Sequence, residues 1–309
     1  MKTLTDTYVM RNGVKIPCVG FGTWQSPNGE VAANAVQVAL ETGYRHIDTA
    51  AAYQNEGSVG EGIARSGIKR EDLFITTKRP GNPKGYEGCI KIFNESLKLL
   101  RTDYVDMYLG HWPIPPFGWN PTDDSWKKEL QETWRAFETL YKDGKIRAIG
   151  VCNCFEEHFK AIYDTCEIKP MLNQIEFHPS YMQKEAVEYT VKEGMLVEAW
   201  SPLATGRIFE VEEMKAFAAK YNKTIAQICI RWVLQKGFLP LPKSVTPSRI
   251  IENANVFDFE ISEEDMAAID KVENCGWSGL YPGGQGDRPA YLLKEEEMKR
   301  KNAGNTFNK

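Results

Sequence analysis

No run of about 18 apolar residues occurs in this 309-residue chain, so the sequence offers no membrane-spanning helix. Its first residues, MKTLTDTYVM, carry no apolar core of a secretory signal. Basic residues are not in excess. Lys and Arg number 38 against 42 Asp and Glu, a formal net charge of −4, which removes the electrostatic basis for nucleic-acid or membrane-surface binding. The seven cysteines (Cys18, Cys89, Cys152, Cys154, Cys166, Cys229, Cys275) are odd in number and include no C-x-x-C pair. Cys152 and Cys154 stand too close for half a zinc finger and lack a second cluster. They read as reduced thiols, and the expected location is cytoplasmic. Histidines are only four, with no H-x-H or H-E-x-x-H arrangement, so no metal is expected and a metal-dependent hydrolase lacks its ligand spacing. G-x-G-x-x-G is also missing. The nearest glycine cluster, Gly57-Ser-Val-Gly60-Glu-Gly62, has the spacing reversed, which disfavours an open dinucleotide-binding sheet.

What is present is an ordinary globular composition, 42% hydrophobic and 26% charged, which excludes a wholly disordered chain, a collagen and a coiled coil. Thr7–Met10 and Val14–Pro17, joined through Arg11-Asn12-Gly13, predict an N-terminal β-hairpin. One unit then repeats: a short β-prone run, a polar loop, an amphipathic helix. The runs are Val19–Thr23, Tyr44–Ala50, Leu73–Thr77, Tyr104–Leu109, Ile146–Val151, Met171–Phe177, Leu196–Trp200 and Phe238–Leu241. Helical spacing marks Glu30–Glu41, Gly88–Leu100, Leu130–Lys142, Gln183–Glu193 and Ile225–Gln235, and Gly43, Gly144, Gly194 and Gly237 supply stops. Two further helices are expected near Pro247–Asn255 and Ser262–Val272, the second capped by Ser262 with acids in its first turn. Eight strand–helix units of about 28 residues each predict a (β/α)8 TIM barrel of α/β class, a single domain over residues 1–309, with the hairpin before it and two extra C-terminal helices.

Reactive groups of such a barrel belong at the carboxyl ends of its strands. There the sequence has His46-Ile-Asp48, followed closely by Tyr53; Ile75-Thr-Thr-Lys78; and Gly110-His111-Trp112-Pro113. An Asp, a Tyr, a Lys and a His thus converge on one rim without an obvious nucleophile. A phenol is a poor acid near neutrality unless tuned. Lys78 is expected to stabilise the phenolate and lower the Tyr53 pKa, Asp48 to orient Lys78, and His111 to donate a hydrogen bond to a carbonyl oxygen. The set suits protonation of an oxygen that is gaining negative charge. The bland readings are a structural ion pair, a packing tyrosine and a core histidine; their joint occurrence at three strand ends favours catalysis.

At these residues the sequence resembles the aldo-keto reductase family. GYRHIDTAAAYQNE (43–56), ITTK (75–78), GHWP (110–113), NQIEFHP (173–179), AWSPL (199–203) and LPKSVTPSRIIENANVFDF (241–259) each look like family segments, in order, over about Thr7 to Val272. The resemblance implies an (α/β)8 barrel that reduces aldehydes or ketones to alcohols with NADPH held at its mouth. It implies Tyr53 as general acid, Asp48 and Lys78 as its tuners and His111 as the orienter of the carbonyl. Asn153 and Gln174 look like the carboxamide binders, beside Cys152, and Trp200 occupies the position that stacks on the nicotinamide. Thr23, Trp24 and Asp48 also fall among cofactor contacts. Ser201 and Leu203 look like pyrophosphate contacts. Lys243, Ser244, Val245, Thr246 and Arg249 lie in the segment that clamps the adenosine 2′-phosphate, Glu252 and Asn253 at the adenine. Two cations against a phosphate dianion favour NADPH over NADH. Trp24, Tyr53, His111 and Trp112 are the implied substrate contacts.

One departure matters: the family usually has Ser where this chain has Cys152, a weaker hydrogen-bond donor. His46 and His178 read as hydrogen-bonded barrel-wall residues and His158 as an exposed helical one. The loop Ile114–Lys128, long and rich in Pro and Trp, is expected to serve binding at the rim, with Trp119 and Tyr281 as weaker pocket candidates. The tail from Trp277 either folds over the mouth or hangs loose. A monomer acting on a small carbonyl compound is the default. Sugars, short aldehydes, dicarbonyls and steroids all remain open as substrates. The alternative is an NADPH-binding regulatory or redox-sensing barrel with little turnover.

Overall fold

The chain enters as an antiparallel hairpin, β1 (Thr7–Val9) with β2 (Lys15–Pro17), in register Thr7 to Pro17 and turned at Asn12-Gly13 as expected. Tyr8 Oη donates to the carbonyl of Phe238, which sets the hairpin at the amino-terminal end of the barrel. The computed structural model describes residues 1–81, 85–116, 124–280 and 282. Every one of the eight β-prone runs forms a strand of a single parallel sheet: β3 (Phe21–Gly22), β4 (His46–Asp48), β5 (Phe74–Arg79), β6 (Val105–Gly110), β7 (Ile146–Cys152), β8 (Leu172–Glu176), β9 (Leu196–Trp200) and β10 (Leu239–Leu241). They lie side by side in chain order. Gly20 N–H to Pro240 O at 3.1 Å and Gly22 N–H to Pro242 O at 3.0 Å join the first strand to the last and close the ring.

Closure depends on Gly20. A Cβ there would sit 2.4 Å from Leu241 Cδ2 and 2.6 Å from His46 Nδ1. Overpacking of this kind costs about 1–3 kcal/mol. Gly20→Ala is therefore expected to lower the thermal midpoint by several degrees; a melting scan that returned an unchanged midpoint would refute this account of the seam.

Helices cover the sheet: α1 (Glu30–Thr42), α2 (Glu56–Ser66), α3 (Gly85–Leu100), α4 (Ser125–Lys142), α5 (Glu156–Tyr163) and α6 (Lys184–Lys192) follow one strand each. The expected stops are present, with Gly43, Gly144, Gly194 and Gly237 all at positive φ, where only glycine is unstrained. Two helices separate β9 from β10, α7 (Glu212–Tyr221) and α8 (Ile225–Gln235); the strict alternation read from the sequence did not include α7. Two more follow β10, as expected. The first, α9 (Pro247–Ala254), packs between α8 and α1 and completes the ring, and α10 (Glu263–Ile269) packs on α7. Ser262 caps α10 by accepting from Asp265 N–H at 3.2 Å. The main core lies between the sheet and the helices, with Phe21, Tyr44, Phe93, Tyr108, Trp134 and Phe137 among its largest side chains. No helix among the described residues is long and apolar enough to cross a membrane.

Candidate active site

Inside the ring, side chains two residues apart on a strand share the inward face. Asp48 and Lys78 end adjacent strands on that face. Both are almost fully buried, and Lys78 Nζ donates to Asp48 Oδ1 at 2.6 Å. A second N–H reaches the backbone carbonyl of Thr49 at 2.9 Å, and the third side of the ammonium meets Tyr53 Oη at 3.2 Å. Tyr53 is carried there by a single 3-10 turn, Ala51–Tyr53, which follows β4 and ends in a left-handed Gln54 at φ 57°. His111 leaves the end of β6 with its backbone N–H bonded to Arg79 O at 3.1 Å. Its ring meets Tyr53 edge to face, centroids 5.4 Å apart. The four residues read from separate strand ends are therefore in one cluster.

The electrostatics differ from expectation in one respect. Lys78 opposes the shift, but burial outweighs it and the Asp48 charge adds to burial, so the Tyr53 phenol is raised above its ordinary value rather than lowered. A neutral phenol is the form that can donate a proton, so the correction leaves Tyr53 a poised donor throughout the neutral range. Burial also disfavours the Lys78 ammonium, yet Asp48 and Tyr53 more than offset this and Lys78 stays charged. Burial pushes Asp48 up against the pull of Lys78 and Gln174. His111 is pushed down to about 3, first by burial and then by Lys78, so its imidazole is neutral.

Tyr53 and His111 open on a cavity of about 920 Å³ at the carboxyl ends of the strands. Of the residues singled out in the sequence, Trp24, Asp48, Trp112, Asn153, Gln174, Trp200, Ser201, Leu203, Lys243, Ser244, Arg249, Glu252 and Asn253 line the same cavity. Thr23 and Cys152 are buried and are not on its lining; Thr23 Oγ1 instead donates to Asp48 O at 3.0 Å, and burial holds Cys152 as a thiol. Val245 and Thr246 are not on the lining either. Trp119 and Tyr281, like residues 117–123 of the loop 114–128 and the tail beyond 282, lie outside the described residues. Trp277 stacks on Tyr181 at 5.6 Å, and Ser278 anchors to Glu176 through N–H at 2.9 Å and Oγ at 2.7 Å, which sets Leu280 on the lining.

The chemistry of this donor set fits a nicotinamide dinucleotide. The Asn153 amide ties Trp200 to His111: the indole N–H donates to Asn153 Oδ1 at 2.9 Å, and Asn153 Nδ2 donates to His111 O at 3.2 Å. Asn153 holds φ 58°, Ser201 φ 48° and Thr205 φ 52°, left-handed backbone at three points of the rim, where strain is characteristic of ligand-clamping segments. At the far end, neither Lys243 nor Arg249 pairs with a carboxylate among the described residues; Lys243 Nζ donates only to Gln25 O at 3.0 Å. Unneutralised cations at the end of a cleft are what a phosphate requires.

Several site features were not read from the sequence. Gln25, Thr205, Gly206 and Phe209 line the cavity, and all but Gln25 belong to the segment Ala204–Glu210 after β9, whose length was the available signal. Glu198 lies inside the barrel under Gln174 and is fully buried; a carboxylate in the middle of the run LVEAW was its signal. His46 is a wall residue, as expected, bonded to Thr76 Oγ1 at 2.9 Å, and His178 bonds Pro179 O at 2.7 Å. His158 is buried rather than exposed: Nδ1 accepts from Phe155 N–H at 3.0 Å and the ring packs against Trp126, so burial pushes it down to about 3.

A closed parallel barrel that presents a lysine-backed phenol beside a long amide- and cation-lined cleft is the architecture of a carbonyl-reducing oxidoreductase. Comparison with known proteins agrees. The model of the aldo/keto reductase family matches residues 18–274. The glyoxal reductase of Bacillus subtilis (strain 168) is 47% identical over 280 residues, covering 91% of this chain and 97% of its own length. The methylglyoxal reductase DkgA of Escherichia coli (strain K12) is 40% identical over 268 residues, 85% of this chain and 92% of its own. Among solved structures, the Bombyx mori aldo-keto reductase in complex with NADP superposes with a TM-score of 0.78 at 33% identity, covering 89% of this chain and 94% of that one. The chain belongs to the aldo/keto reductase family and is an oxidoreductase.

Proposed function

We propose that this protein reduces short aldehydes and α-dicarbonyls to alcohols with NADPH, Tyr53 donating the proton. The observation that carries the reading is the buried Lys78 ammonium, which holds Asp48 at 2.6 Å and Tyr53 Oη at 3.2 Å on the floor of the cavity. Bound NADPH supplies the hydride that the carbonyl carbon receives. Tyr53 gives its proton to the carbonyl oxygen as charge grows there, and Lys78 stabilises the phenolate left behind. Neutral His111 donates one N–H toward the same oxygen. Trp24 and Trp112 are bulky walls beside these two groups and favour a short substrate. The relatives named for glyoxal and methylglyoxal support the same class.

The residues toward the cofactor divide by chemistry. Asn153 and Gln174 suit the carboxamide, Trp200 the flat ring, Ser201 and Leu203 the pyrophosphate, and Glu252 and Asn253 the adenine. Lys243 and Arg249 suit the 2′-phosphate, and the NADP-bound relative supports that choice. Alanine at either cation is expected to weaken NADPH binding by about tenfold to a hundredfold, the range of a charge-assisted hydrogen bond, and to leave NADH almost untouched. Titration of both nucleotides against tryptophan fluorescence reads the ratio. Equal losses for the two would remove the phosphate assignment. The segment from Trp277 to Leu280 forms the outer wall of the substrate end, supported by the Ser278–Glu176 anchor. All seven cysteines are free, which supports a reducing cytoplasm.

The direct test is NADPH absorbance with glyoxal, methylglyoxal, an aldose and a steroid ketone. The expected order of kcat/KM puts the dicarbonyls first. A steroid preference would contradict the substrate class, and no turnover with any of the four would contradict the reading as a whole.

A further inference from the structure

Beneath the catalytic cluster two carboxyl groups share one amide. Gln174 Nε2 donates to Asp48 Oδ2 at 2.9 Å and to Glu198 Oε2 at 2.6 Å. Both hydrogens of that amide are committed, so Oε1 is all that Gln174 can offer to a ligand in the cavity it lines. The two carboxyls are not equivalent. Asp48 faces the Lys78 ammonium, whereas Glu198 forms no ion pair with a lysine or arginine among the described residues, and its Oε1 has no hydrogen-bond partner. The groups that face Glu198 are His46 and Asp48 from β4, Lys78 from β5, Cys152 from β7 and Gln174 from β8; β3 and β10 contribute no ionisable side chain. His46 Nε2, 3.8 Å from Glu198 Oε1, belongs to a ring pushed down to about 3 by burial and Lys78, so it is no cation. An unpaired carboxylate so deep in the barrel is far costlier than the neutral acid.

We propose that Glu198 is a positioning residue for the reduction: as an uncharged carboxyl it holds the Gln174 amide with its N–H groups inward and its oxygen toward the cofactor's carboxamide, and it leaves Asp48 as the only negative charge opposite Lys78. This rests on the reading of the cavity as a nicotinamide site. Burial, then the Asp48 charge, push Glu198 up to about 8. Its ionisation puts a second negative charge beside Lys78 and Tyr53. Like charge disfavours the phenolate, so Tyr53 becomes a weaker acid and turnover falls on the alkaline side. The step is a plain ionisation: the carboxyl proton leaves to solvent, and no bond of the substrate is involved.

Two variants test it. Glu198→Gln keeps an oxygen for Gln174 and cannot ionise; Glu198→Leu removes the acceptor. In the protein without nucleotide, the infrared difference between wild type and Glu198→Gln is expected to show a protonated-carboxyl band that disappears with a midpoint of about 8. In turnover, the wild-type alkaline limb near that pH is expected to vanish in Glu198→Gln, while kcat at neutral pH stays within about threefold, because the hydrogen bond to Gln174 survives. Glu198→Leu is expected to bind NADPH about tenfold more weakly, the worth of one positioned hydrogen bond, and Glu198→Gln to restore that binding. A carboxyl band absent from the wild type overturns the proposal. So does an alkaline limb that is missing in the wild type or unmoved in Glu198→Gln while NADPH is consumed normally. A wild type that shows the titrating band yet consumes no NADPH overturns the reduction reading, and the positioning role falls with it.

Discussion

Replacing Tyr53 with phenylalanine is expected to lower kcat/KM for carbonyl reduction by about 10²–10⁴-fold, the worth of a well-placed general acid. NADPH binding and the melting midpoint should barely change. The substitution removes one hydroxyl, which meets the Lys78 ammonium, and Lys78 keeps its bonds to Asp48 and to Thr49 O. The ring contact with His111 is kept as well, since phenylalanine retains the ring. Steady-state kinetics beside a fluorescence titration separates the two effects. A loss that appeared in KM alone would make Tyr53 a binding residue, and the proton donor would have to be sought at His111.

The second large effect is expected at Lys78, and it has two parts that can be told apart. Lys78→Met leaves Asp48 buried without its cation, which costs about 3–5 kcal/mol of stability. It also removes the charge that stabilises the Tyr53 phenolate, with a further loss of about 10²–10³-fold in kcat. Adding Asp48→Asn to Lys78→Met removes the stranded carboxylate, so the double variant should regain most of the lost stability and none of the lost activity. Thermal melts and kinetics on the two single variants and the double form the cycle that measures this. A double variant that recovered activity together with its midpoint would mean that Lys78 is a structural residue only.

The eight strands were legible because each is a short β-prone run bounded by turn chemistry, and the four cluster residues because they end such runs. His46-Ile-Asp48 and Ile75-Thr-Thr-Lys78 each carry a charge at the last inward position of a strand, the end of a barrel where reactive groups belong. Glu198 escaped because it sits in mid-strand, where a lone acid between apolar residues reads as a solvent-facing position; only the closed ring turns it inward onto Gln174. Helix α7 escaped because alternation allots one helix to each strand, and Ile225–Gln235, which is α8, already filled the place between β9 and β10. His158 stands among the charged residues Glu156, Glu157 and Lys160, yet it is buried and its Nδ1 accepts from the Phe155 N–H at the α5 N-terminus. The direction of the Tyr53 shift was also out of reach. Sequence supplies the neighbours of a titratable group but not its depth, and depth decides here.

The measurement that bears most directly on the central claim follows an atom. NADPH carrying deuterium at C4 of its nicotinamide is incubated with the wild-type protein and methylglyoxal, and the alcohol product is weighed by mass spectrometry; Tyr53→Phe runs beside it. The account predicts deuterium on the carbinol carbon of the wild-type product, with little product of any kind from the variant. Tight NADPH binding with no labelled alcohol, or equal labelled product from both proteins, would contradict it.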